Sequence, residues 1–376
     1  MFIVNSMLNN NLIVIHVAEA FGGGIIEFIL QIVKNQPGYR HIIIYGKRGV
    51  DIDAVRKQFP ENAGFVEWPF AQREVHPIMD WKAFRSLRRI VKKIQREHTV
   101  QAIHLHSSKA GFLGRFALRG VVPRKRLIYT PNGLAFARQD VSKIKRLFYV
   151  LLEWVAAAYA GRVIACGASE AALMKKAGIR ATYINNGTAF CPEEYPVTRK
   201  LKNKPEEKVV LTVGRVSIQK NPVMFNQIAQ RFEQEPHLRF IWVGEGELSH
   251  ELTASNIELT GWLPKAEVIA LLKQADVYLS TALWEGLPFA VLEAMMCEKP
   301  LLLHRCVGNE DLVIENQNGF LFDKVDEAVA ALHDLLKAPE EKRAHMGKES
   351  RRLCEQHFNA RQMAELYRKA YEGNFE

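Results

Sequence analysis

The strongest constraint on the fold is an alternation of strands and helices that runs through the chain twice. Short β-branched runs such as Leu12–Ala18 are followed by amphipathic segments such as residues 25–33, and a proline- and charge-rich stretch at residues 191–207 interrupts the pattern before it restarts. This alternation is typical of parallel sheets covered by helices. The sequence therefore predicts an α/β fold with two tandem Rossmann-like domains that face each other across a cleft.

The length of 376 residues suits two domains of about 100–200 residues each. We place the first domain at residues 1–190, the linker at 191–207 and the second domain at 208–376. The tail at residues 325–371 is almost continuously helical, and its final helix is expected to pack back on the first domain. The predicted strands are residues 12–18, 41–45, 102–105, 126–130, 162–165, 209–213, 239–243, 257–259, 277–280 and 300–304.

Three observations bear on the compartment. The longest apolar run, at residues 147–160, is shorter than the about 18 residues of a membrane span, and Glu153 interrupts it, so we predict a buried helix. The first eleven residues carry no basic segment, and no small-residue cleavage site follows them, so we do not expect secretion. Five scattered cysteines, without a CxxC pair or a Cys/His cluster, favour a reducing cytosol.

Charge is divided unevenly along the chain. Residues 1–200 hold 30 Lys and Arg against 14 Asp and Glu, whereas residues 201–376 hold 21 against 27. Residues 82–96 alone carry seven cations beside an apolar stripe that we assign to the core. Such a basic face suits an anionic membrane, so we expect a cytoplasmic protein that sits peripherally on the inner face of the plasma membrane. The rival polyanion is nucleic acid, which we do not expect because no aromatic-interleaved basic motif is present.

The most informative motif is WEGLPFAVLEA, at residues 284–294 directly after a predicted strand. Its proline suits the first turn of a helix, which places Glu285 in the loop and Glu293 within the helix. A loop carboxylate at a cleft accepts hydrogen bonds from sugar hydroxyls, and the N–H groups of Leu287 and Phe289 at a helix start form an anion site. An ordinary helix with Glu293 on its exposed face explains the segment equally well when it is taken alone.

A second motif, VGRVSIQKNP at residues 213–222, follows the first predicted strand of the second half. It places two cations, Arg215 and Lys220, in a loop before a helix. Arg215 offers a rigid fork and Lys220 a mobile point charge, which together suit a diphosphate. Two solvated loop cations are the alternative, but their position at a strand end in an otherwise acidic half favours binding.

Three glycines at residues 22–24 follow the first strand of the chain. Backbone at Gly23 and Gly24 can approach a phosphate closely, although a glycine-rich turn alone is a weak signal. A dinucleotide site would require an acid at the end of the second strand, where the sequence instead has Gly46 and Lys47. Binding of NAD is therefore disfavoured.

Two histidines, His104 and His106, lie at the end of another predicted strand and point to the same side of it. His106 is nearer the carboxyl end and is expected to face the cleft, whereas His104 is expected to be structural. No third ligand is apparent nearby, so we expect no metal. The acidic pair Asp51 and Asp53 precedes a helical pattern, and helix capping explains it better than metal binding.

With these motifs in place, the chain resembles the family 4 glycosyltransferases, which are retaining enzymes of the GT-B fold with nucleotide-sugar donors. The resemblance covers nearly the whole chain and is most specific over residues 214–322, which include the Glu285-x7-Glu293 element. The first half matches more loosely, through the glycines at residues 22–24 and the sequence YTPNG at residues 129–133.

The resemblance implies a role for each matching position in the second half. Arg215 and Lys220 would hold the donor diphosphate. Glu293 would bind the ribose hydroxyls, and Glu285 would bind hydroxyls of the transferred sugar. The nucleotide base would be bordered by Gly244, Glu245, Gly246, Trp262 and Leu263.

In the first half, the resemblance brings the backbone of Gly23 and Gly24 to the phosphates from the opposite domain and sets His106 beside the donor sugar. The chain departs from the family at Asn132, where many members have histidine, which puts an acid–base role there in doubt. Residues 67–80, where acceptor-binding loops are expected, match no known pattern.

Family membership also implies transfer with retention of configuration. Departure of the nucleoside diphosphate develops negative charge, which Arg215, Lys220 and a helix start are placed to stabilise. The first half offers no convincing carboxylate nucleophile, so we expect front-face transfer in which a phosphate oxygen assists deprotonation of the acceptor. We expect no metal and no cofactor besides the donor substrate, for which a UDP-sugar is the first choice.

The leading hypothesis is an enzyme that moves a hexosyl or N-acetylhexosaminyl unit to a lipid-linked or polysaccharide acceptor, in O-antigen, capsule or exopolysaccharide synthesis. One alternative is a GT-B nucleotide-sugar epimerase, which turns over the donor without any acceptor. The other is a non-catalytic sugar-nucleotide-binding subunit. That version should have lost Glu285, Arg215 or Lys220, and all three are present.

Overall fold

The computed structural model describes residues 12–47, 50–72, 75–197 and 206–375. Within these ranges, thirteen strands form two wholly parallel sheets of seven and six strands. The expectation made for the first eleven residues lies outside the described residues, as does part of the linker predicted at 191–207, so the domain boundaries stay a prediction.

The first sheet contains β1 (Leu12–Ala18), β2 (Arg40–Tyr45), β3 (Ala63–Glu67), β4 (Thr99–His106), β5 (Leu127–Thr130), β6 (Arg162–Ala165) and β7 (Thr182–Tyr183). The second contains β8 (Lys208–Val213), β9 (Leu238–Val243), β10 (Ile257–Leu259), β11 (Val277–Ser280), β12 (Leu301–His304) and β13 (Gly319–Phe322). All ten predicted strands are present. The three that the sequence did not reveal are β3, β7 and β13, which are short or begin with small residues.

The helices are α1 (Gly24–Lys34), α2 (Ile52–Arg56), α3 (Pro77–Glu97), α4 (Ser108–Ala117), α5 (Lys143–Tyr159), α6 (Ala168–Lys176), α7 (Pro222–Gln230), α8 (Lys265–Gln274), α9 (Phe289–Met296), α10 (Val325–Lys337), α11 (Glu340–His357) and α12 (Ala360–Glu372). Single 3-10 turns occur at Arg124–Arg126, Ala135–Ala137, Pro192–Glu194, Ile218–Lys220 and Ser249–Glu251. No described helix is both long enough and apolar enough to cross a membrane.

Both sheets have the doubly wound strand order. The order is β3-β2-β1-β4-β5-β6-β7 in the first sheet and β10-β9-β8-β11-β12-β13 in the second. Strand order therefore reverses beside β1 and beside β8, and ligands of such sheets bind at the carboxyl ends of the strands next to that reversal. This arrangement confirms the predicted α/β fold of two Rossmann-like domains.

The last helix crosses back to the first domain. Tyr367 and Tyr371 of α12 are completely buried, and the helix packs on α1 and β4. The Tyr371 hydroxyl lies 2.9 Å from His104 Nδ1, and the Tyr367 hydroxyl lies 3.1 Å from Thr130 Oγ1. These contacts anchor the end of the chain under the first sheet.

Two predicted local features are present. The Asp51 side chain caps α2, where its Oδ1 accepts hydrogen bonds from the N–H groups of Asp53 at 3.0 Å and Ala54 at 3.1 Å. The apolar stripe of α3 is buried as predicted, with Leu87 and Val91 completely inaccessible to solvent. Six of the seven cations of α3 are exposed, whereas Arg88 is half-buried and donates to the Ala117 carbonyl at 2.7 Å.

The prediction of a buried helix at residues 147–160 is wrong. Those residues belong to α5, and only one side of that helix faces the core. Leu147 is 70% exposed, and Leu151 and Trp154 are 54% and 53% exposed. A long apolar run predicts burial of the whole helix, but the inward side of α5 carries Ala156 and Glu153, and Glu153 forms a salt bridge with the buried Arg115 at 2.6 Å.

Candidate functional site

The two motifs of the second domain, at residues 213–222 and 284–294, meet at the carboxyl end of its sheet. Lys220 ends the 3-10 turn after β8, and Glu285 lies in the loop after β11, the neighbouring strand. Lys220 Nζ lies 2.6 Å from Glu285 Oε1. Gln219 Nε2 donates to Glu285 Oε2 at 3.3 Å and to the Trp284 carbonyl at 2.9 Å, so several hydrogen bonds join the two loops.

Electrostatics keep Lys220 charged in this site. Burial disfavours the ammonium, but the adjacent Glu285 carboxylate outweighs burial, and the pKa of Lys220 is raised. Arg215 is different: it lies in the same loop after β8, its side chain is exposed, and no described residue forms a hydrogen bond or ion pair with it. The loop thus presents one compensated cation and one available cation, as a site for a dianionic group requires.

Helix α9 begins just beyond Glu285. Its eight residues start at Phe289 after Pro288, and the N–H groups of Leu287 and Phe289 donate to no acceptor among the described residues. Donors of this kind at a helix start favour an anion. These unpaired donors lie next to the Lys220–Glu285 pair, and their binding of an anion stays a prediction.

Glu293 lies one turn further along α9 and is buried. Its partner is Lys265 at the start of α8, whose ammonium contacts Glu293 Oε1. Burial raises the pKa of Glu293, and the positive charge of Lys265 opposes that rise. Lys265 was not predicted from the sequence. The only signal for it there is a cation at the first position of a helix in an acidic half, directly after the loop at residues 261–264.

The loops after β8, β9 and β10 lie side by side. Gly244 has φ +135°, and a Cβ there would lie 2.2 Å from the Gly214 carbonyl, so only glycine fits. Its N–H donates to the Gly261 carbonyl at 2.9 Å. Trp262 follows and is 56% exposed.

The remaining predicted base-bordering residues lie in these loops as well. Glu245 is exposed and Leu263 is half-buried. These two residues and Trp262 lie in the loops at the carboxyl edge of the sheet, and their contact with a base stays a prediction.

The first domain closes over this edge. A Cβ at Gly24, at the start of α1, would lie 3.7 Å from Phe289 Cδ2, so the glycine loop faces the start of α9. A Cβ at Gly286 would lie 2.7 Å from Cys166 Sγ and 2.8 Å from the Gly133 nitrogen. The loops of the two domains are therefore in direct contact around residues 285–289, and the approach of Gly23 and Gly24 to the donor phosphates stays a prediction.

A second interdomain contact lies beside the first. Asp311 accepts hydrogen bonds from Ser169 N at 3.0 Å and Ser169 Oγ at 2.7 Å, at the start of α6. Gly308 N in turn donates to Ser169 Oγ at 2.8 Å. Asn132 is half-buried, and its side-chain nitrogen donates to the Thr130 carbonyl. An amide side chain does not exchange protons as histidine does.

His106 lies in a buried chain of histidines rather than open to solvent. Its Nε2 lies 3.0 Å from His16 Nδ1, and His16 Nε2 lies 3.0 Å from His41 Nδ1. His106 Nδ1 has no hydrogen-bond partner among the described residues. His104 is structural, as predicted, because it bonds Tyr371 and Thr130. A position of His106 beside a donor sugar stays a prediction.

The histidine cluster has the ligand count of a metal site. Nitrogens of His16, His104 and His106 lie within 4.8 Å of one another. His16 was the third histidine that sequence spacing did not reveal, because it comes from β1. Burial lowers the pKa of all three rings, so they are neutral, and hydrogen bonds to one another, His41, Tyr371 and Thr130 already engage most of their nitrogens.

Solved structures share this architecture. Sucrose-phosphate synthase from Thermosynechococcus elongatus superimposes with a TM-score of 0.75 over 96% of this chain and 99% of its own, at 18% identity. HepE from Anabaena, in complex with UDP and glucose, gives 0.73 over 95% and 98%, also at 18% identity. The fold is that of the GT-B glycosyltransferases.

The sequence comparisons identify the family. Residues 38–187 match the glycosyl transferase 4-like domain, and residues 196–353 match the glycosyl transferases group 1 model. The chain is 31% identical over 281 residues to the UDP-Gal:alpha-D-GlcNAc-diphosphoundecaprenol alpha-1,3-galactosyltransferase of Escherichia coli. The matched region covers 69% of this chain and 70% of the relative. The protein belongs to the group 1, family 4-like glycosyltransferases, and the predicted resemblance is confirmed.

Proposed function

We propose that this glycosyltransferase moves a hexosyl or N-acetylhexosaminyl unit from a UDP-sugar to a lipid-linked sugar diphosphate in surface-polysaccharide synthesis. The observation that carries the proposal is the Lys220–Glu285 pair at the start of α9, with the available cation of Arg215 in the same loop. The choice of a UDP-sugar and a diphospholipid acceptor is supported by the printed activity of the Escherichia coli relative.

In the proposed complex, Arg215 and Lys220 bind the diphosphate together with the N–H groups at the start of α9. Glu285 then exchanges its contact with Lys220 for hydroxyls of the sugar, and Glu293 accepts hydrogen bonds from the ribose. The 2.6 Å contact between Lys220 and Glu285 places the phosphate-binding and sugar-binding groups side by side. That adjacency is what a bond between a sugar and a phosphate requires.

The chemistry follows from charge. When the glycosyl–phosphate bond breaks, negative charge grows on the β-phosphate, and preorganised donors stabilise it best because they need not reorganise. We propose front-face transfer with retention, in which a phosphate oxygen of the leaving group takes the proton of the acceptor hydroxyl. The residues named here supply this stabilisation without a resident metal.

The acceptor is proposed to reach the enzyme from an anionic membrane, at the inner face of the plasma membrane. The supporting observation is the excess of cations in the first domain, where six of the seven Lys and Arg side chains of α3 are exposed. Multivalent attraction of that kind concentrates a protein at an anionic surface.

The test is transfer from UDP-hexoses to a short-chain N-acetylglucosaminyl diphospholipid, followed by mass spectrometry and by NMR of the anomeric proton. We expect acceptor-dependent release of UDP, an added hexose or N-acetylhexosamine, and an α-linkage from an α-donor. Donor interconversion in the absence of acceptor would instead identify an epimerase. Binding of the donor without turnover under any condition would identify a non-catalytic subunit.

A further inference from the structure

An apolar face of α5 is exposed in the first domain. The side chains share the spacing of one helical stripe and point away from the core; they are Ile144, Leu147, Phe148, Leu151, Trp154, Val155 and Tyr159. We call this set the α5 stripe. Ile144 is 83% exposed, and none of the seven is buried. A contiguous apolar surface of this kind marks an interaction site.

Cations flank both ends of the α5 stripe. Lys143 and Lys145 are exposed in the first turn of α5. At the other end, the Arg119 guanidinium lies 4.3 Å from the centre of the Tyr159 ring, and Arg124 donates to the Ala157 carbonyl at 3.0 Å. The outer side of α5 therefore carries only apolar and positively charged groups.

The acids near α5 are compensated. Glu153 is the single acid of the helix, and it is buried against Arg115 at 2.6 Å and the Tyr129 hydroxyl at 2.8 Å. Asp140, which precedes the helix, pairs with Arg138 at 2.5 Å. No uncompensated negative charge on α5 opposes an anionic partner.

A smaller patch of the same chemistry lies on α3, in the same helical layer, because α3 packs on α4 and α4 packs on α5. Ile78 and Trp81 are exposed there, and the Arg85 guanidinium lies 4.7 Å from the centre of the Trp81 ring. Aromatic side chains beside Lys and Arg are typical of the boundary between lipid headgroups and acyl chains.

We propose that the α5 stripe inserts into the surface of an anionic bilayer, with α5 parallel to the membrane plane. This inference deepens and rests on the proposed function, which requires a lipid-borne acceptor. A second copy of this chain fits the face less well. In an antiparallel pair of α5 helices, Lys143 and Lys145 of one copy would lie beside Arg119 and Arg124 of the other, and these like charges would repel each other. An anionic surface attracts the cations at both ends of α5.

The first test is flotation of the full-length protein with vesicles of phosphatidylethanolamine containing about one third phosphatidylglycerol, compared with vesicles of phosphatidylcholine alone. We expect binding to the anionic vesicles. The double variant Leu147→Ser/Leu151→Ser should bind at least about tenfold more weakly, because burial of its apolar area supplies the insertion. The matched control is Val223→Ser/Leu259→Ser, two exposed apolar positions of the second domain, which should bind like the wild type.

Depth is tested separately with vesicles whose acyl chains carry bromine, which quenches tryptophan fluorescence on contact. We expect quenching of the wild type that falls sharply in Trp154→Phe. Two results would overturn the proposal: unchanged vesicle binding by Leu147→Ser/Leu151→Ser, or a concentration-dependent dimer in gel filtration that the same variant abolishes.

A water-soluble acceptor separates this inference from the proposed function. The α5 variant should transfer sugar to a short-chain acceptor as fast as the wild type and lose rate only with acceptor embedded in vesicles. If the proposed function were wrong, no variant would transfer sugar to either acceptor, while vesicle binding would still depend on Leu147 and Leu151.

Discussion

Lys220 Nζ lies 2.6 Å from Glu285 Oε1, and this contact joins the loop after β8 to the loop after β11. Each residue carries a charge that the other compensates in a site closed on one side by the first domain. The pair connects the two strongest motifs of the sequence, which are 65 residues apart along the chain. Each charge of the pair is therefore compensated by the other until a ligand replaces it.

Replacing either member of the pair should sharply lower transfer. Lys220→Ala removes the cation that binds the phosphate, and Glu285→Ala removes the carboxylate that accepts hydrogen bonds from the sugar. We therefore expect each variant to lower kcat/KM by about 100-fold or more. The effects should be far from additive, because each variant also leaves the partner charge uncompensated. A double-mutant cycle of initial rates measures this, with Lys337→Ala and Glu341→Ala, at exposed positions on α10 and α11, as matched controls. Wild-type rates in both site variants would contradict the assignment.

Arg215 should act on the donor and not on the fold. Because its guanidinium is exposed and bonds no described residue, Arg215→Ala should leave the melting temperature unchanged while raising the donor Kd about tenfold or more. Calorimetric titration with UDP and thermal unfolding separate the two effects. Arg231→Ala, which breaks an exposed pair with Asp326, is the control and should not alter donor binding. Unaltered UDP affinity in Arg215→Ala would show a merely solvated cation.

Lys265 should set the pH range in which Glu293 binds the ribose. Burial raises the pKa of Glu293, and Lys265 opposes that rise, so Lys265→Met should move the pKa higher still. Protonation of Glu293 removes a hydrogen-bond acceptor for the ribose. As the pH falls, the affinity for the donor nucleotide should therefore begin to decline at a higher pH in the variant than in the wild type. Titrations with UDP-sugar across pH 5 to 8 measure the shift. Superimposable pH profiles would mean that Lys265 does not control Glu293.

The histidine chain should make stability fall in mild acid. Burial lowers the pKa of His41 from 6.5 to about 4, so between these values the unfolded chain binds a proton that the folded chain excludes. Stability from this group is present above pH 6.5 and is lost as the pH falls to about 4. This single histidine lowers the free energy of unfolding by about 1.4 kcal/mol per pH unit in that window.

The measurement is denaturant unfolding of the wild type and His41→Gln at several pH values. The variant lacks the titrating ring, so its stability relative to the wild type should rise as the pH falls from 6.5 to about 4. Comparison of the two proteins cancels the carboxyl groups that titrate in the same range. A difference in unfolding free energy that does not vary with pH would contradict a neutral, buried His41.

Much of the fold was predictable because hydrophobic periodicity in doubly wound sheets is local. Parallel strands buried on both faces are continuous apolar runs, and each predicted run became a strand. Helix α5 shows the limit. Its apolar run indicated a helix, but an apolar run does not say whether the side chains meet the core or a partner, and here most of them are exposed.

Some residues of the candidate site could likewise be predicted from the sequence, and others could not. Arg215, Lys220, Glu285 and the start of α9 were predictable because each lies beside a strand end, where parallel sheets place ligands. Lys265 and His16 were not, since each meets its partner only through tertiary packing. No short-range pattern links Lys265 to Glu293, or His16 to His106.

The decisive experiment is a crystal structure of this protein with a bound UDP-hexose. We expect the diphosphate within hydrogen-bond distance of Arg215, Lys220 and the N–H groups that begin α9. We also expect ribose hydroxyls on Glu293 and sugar hydroxyls on Glu285, released from Lys220. A nucleotide bound elsewhere, with the Lys220–Glu285 contact intact and Arg215 still in solvent, would contradict it.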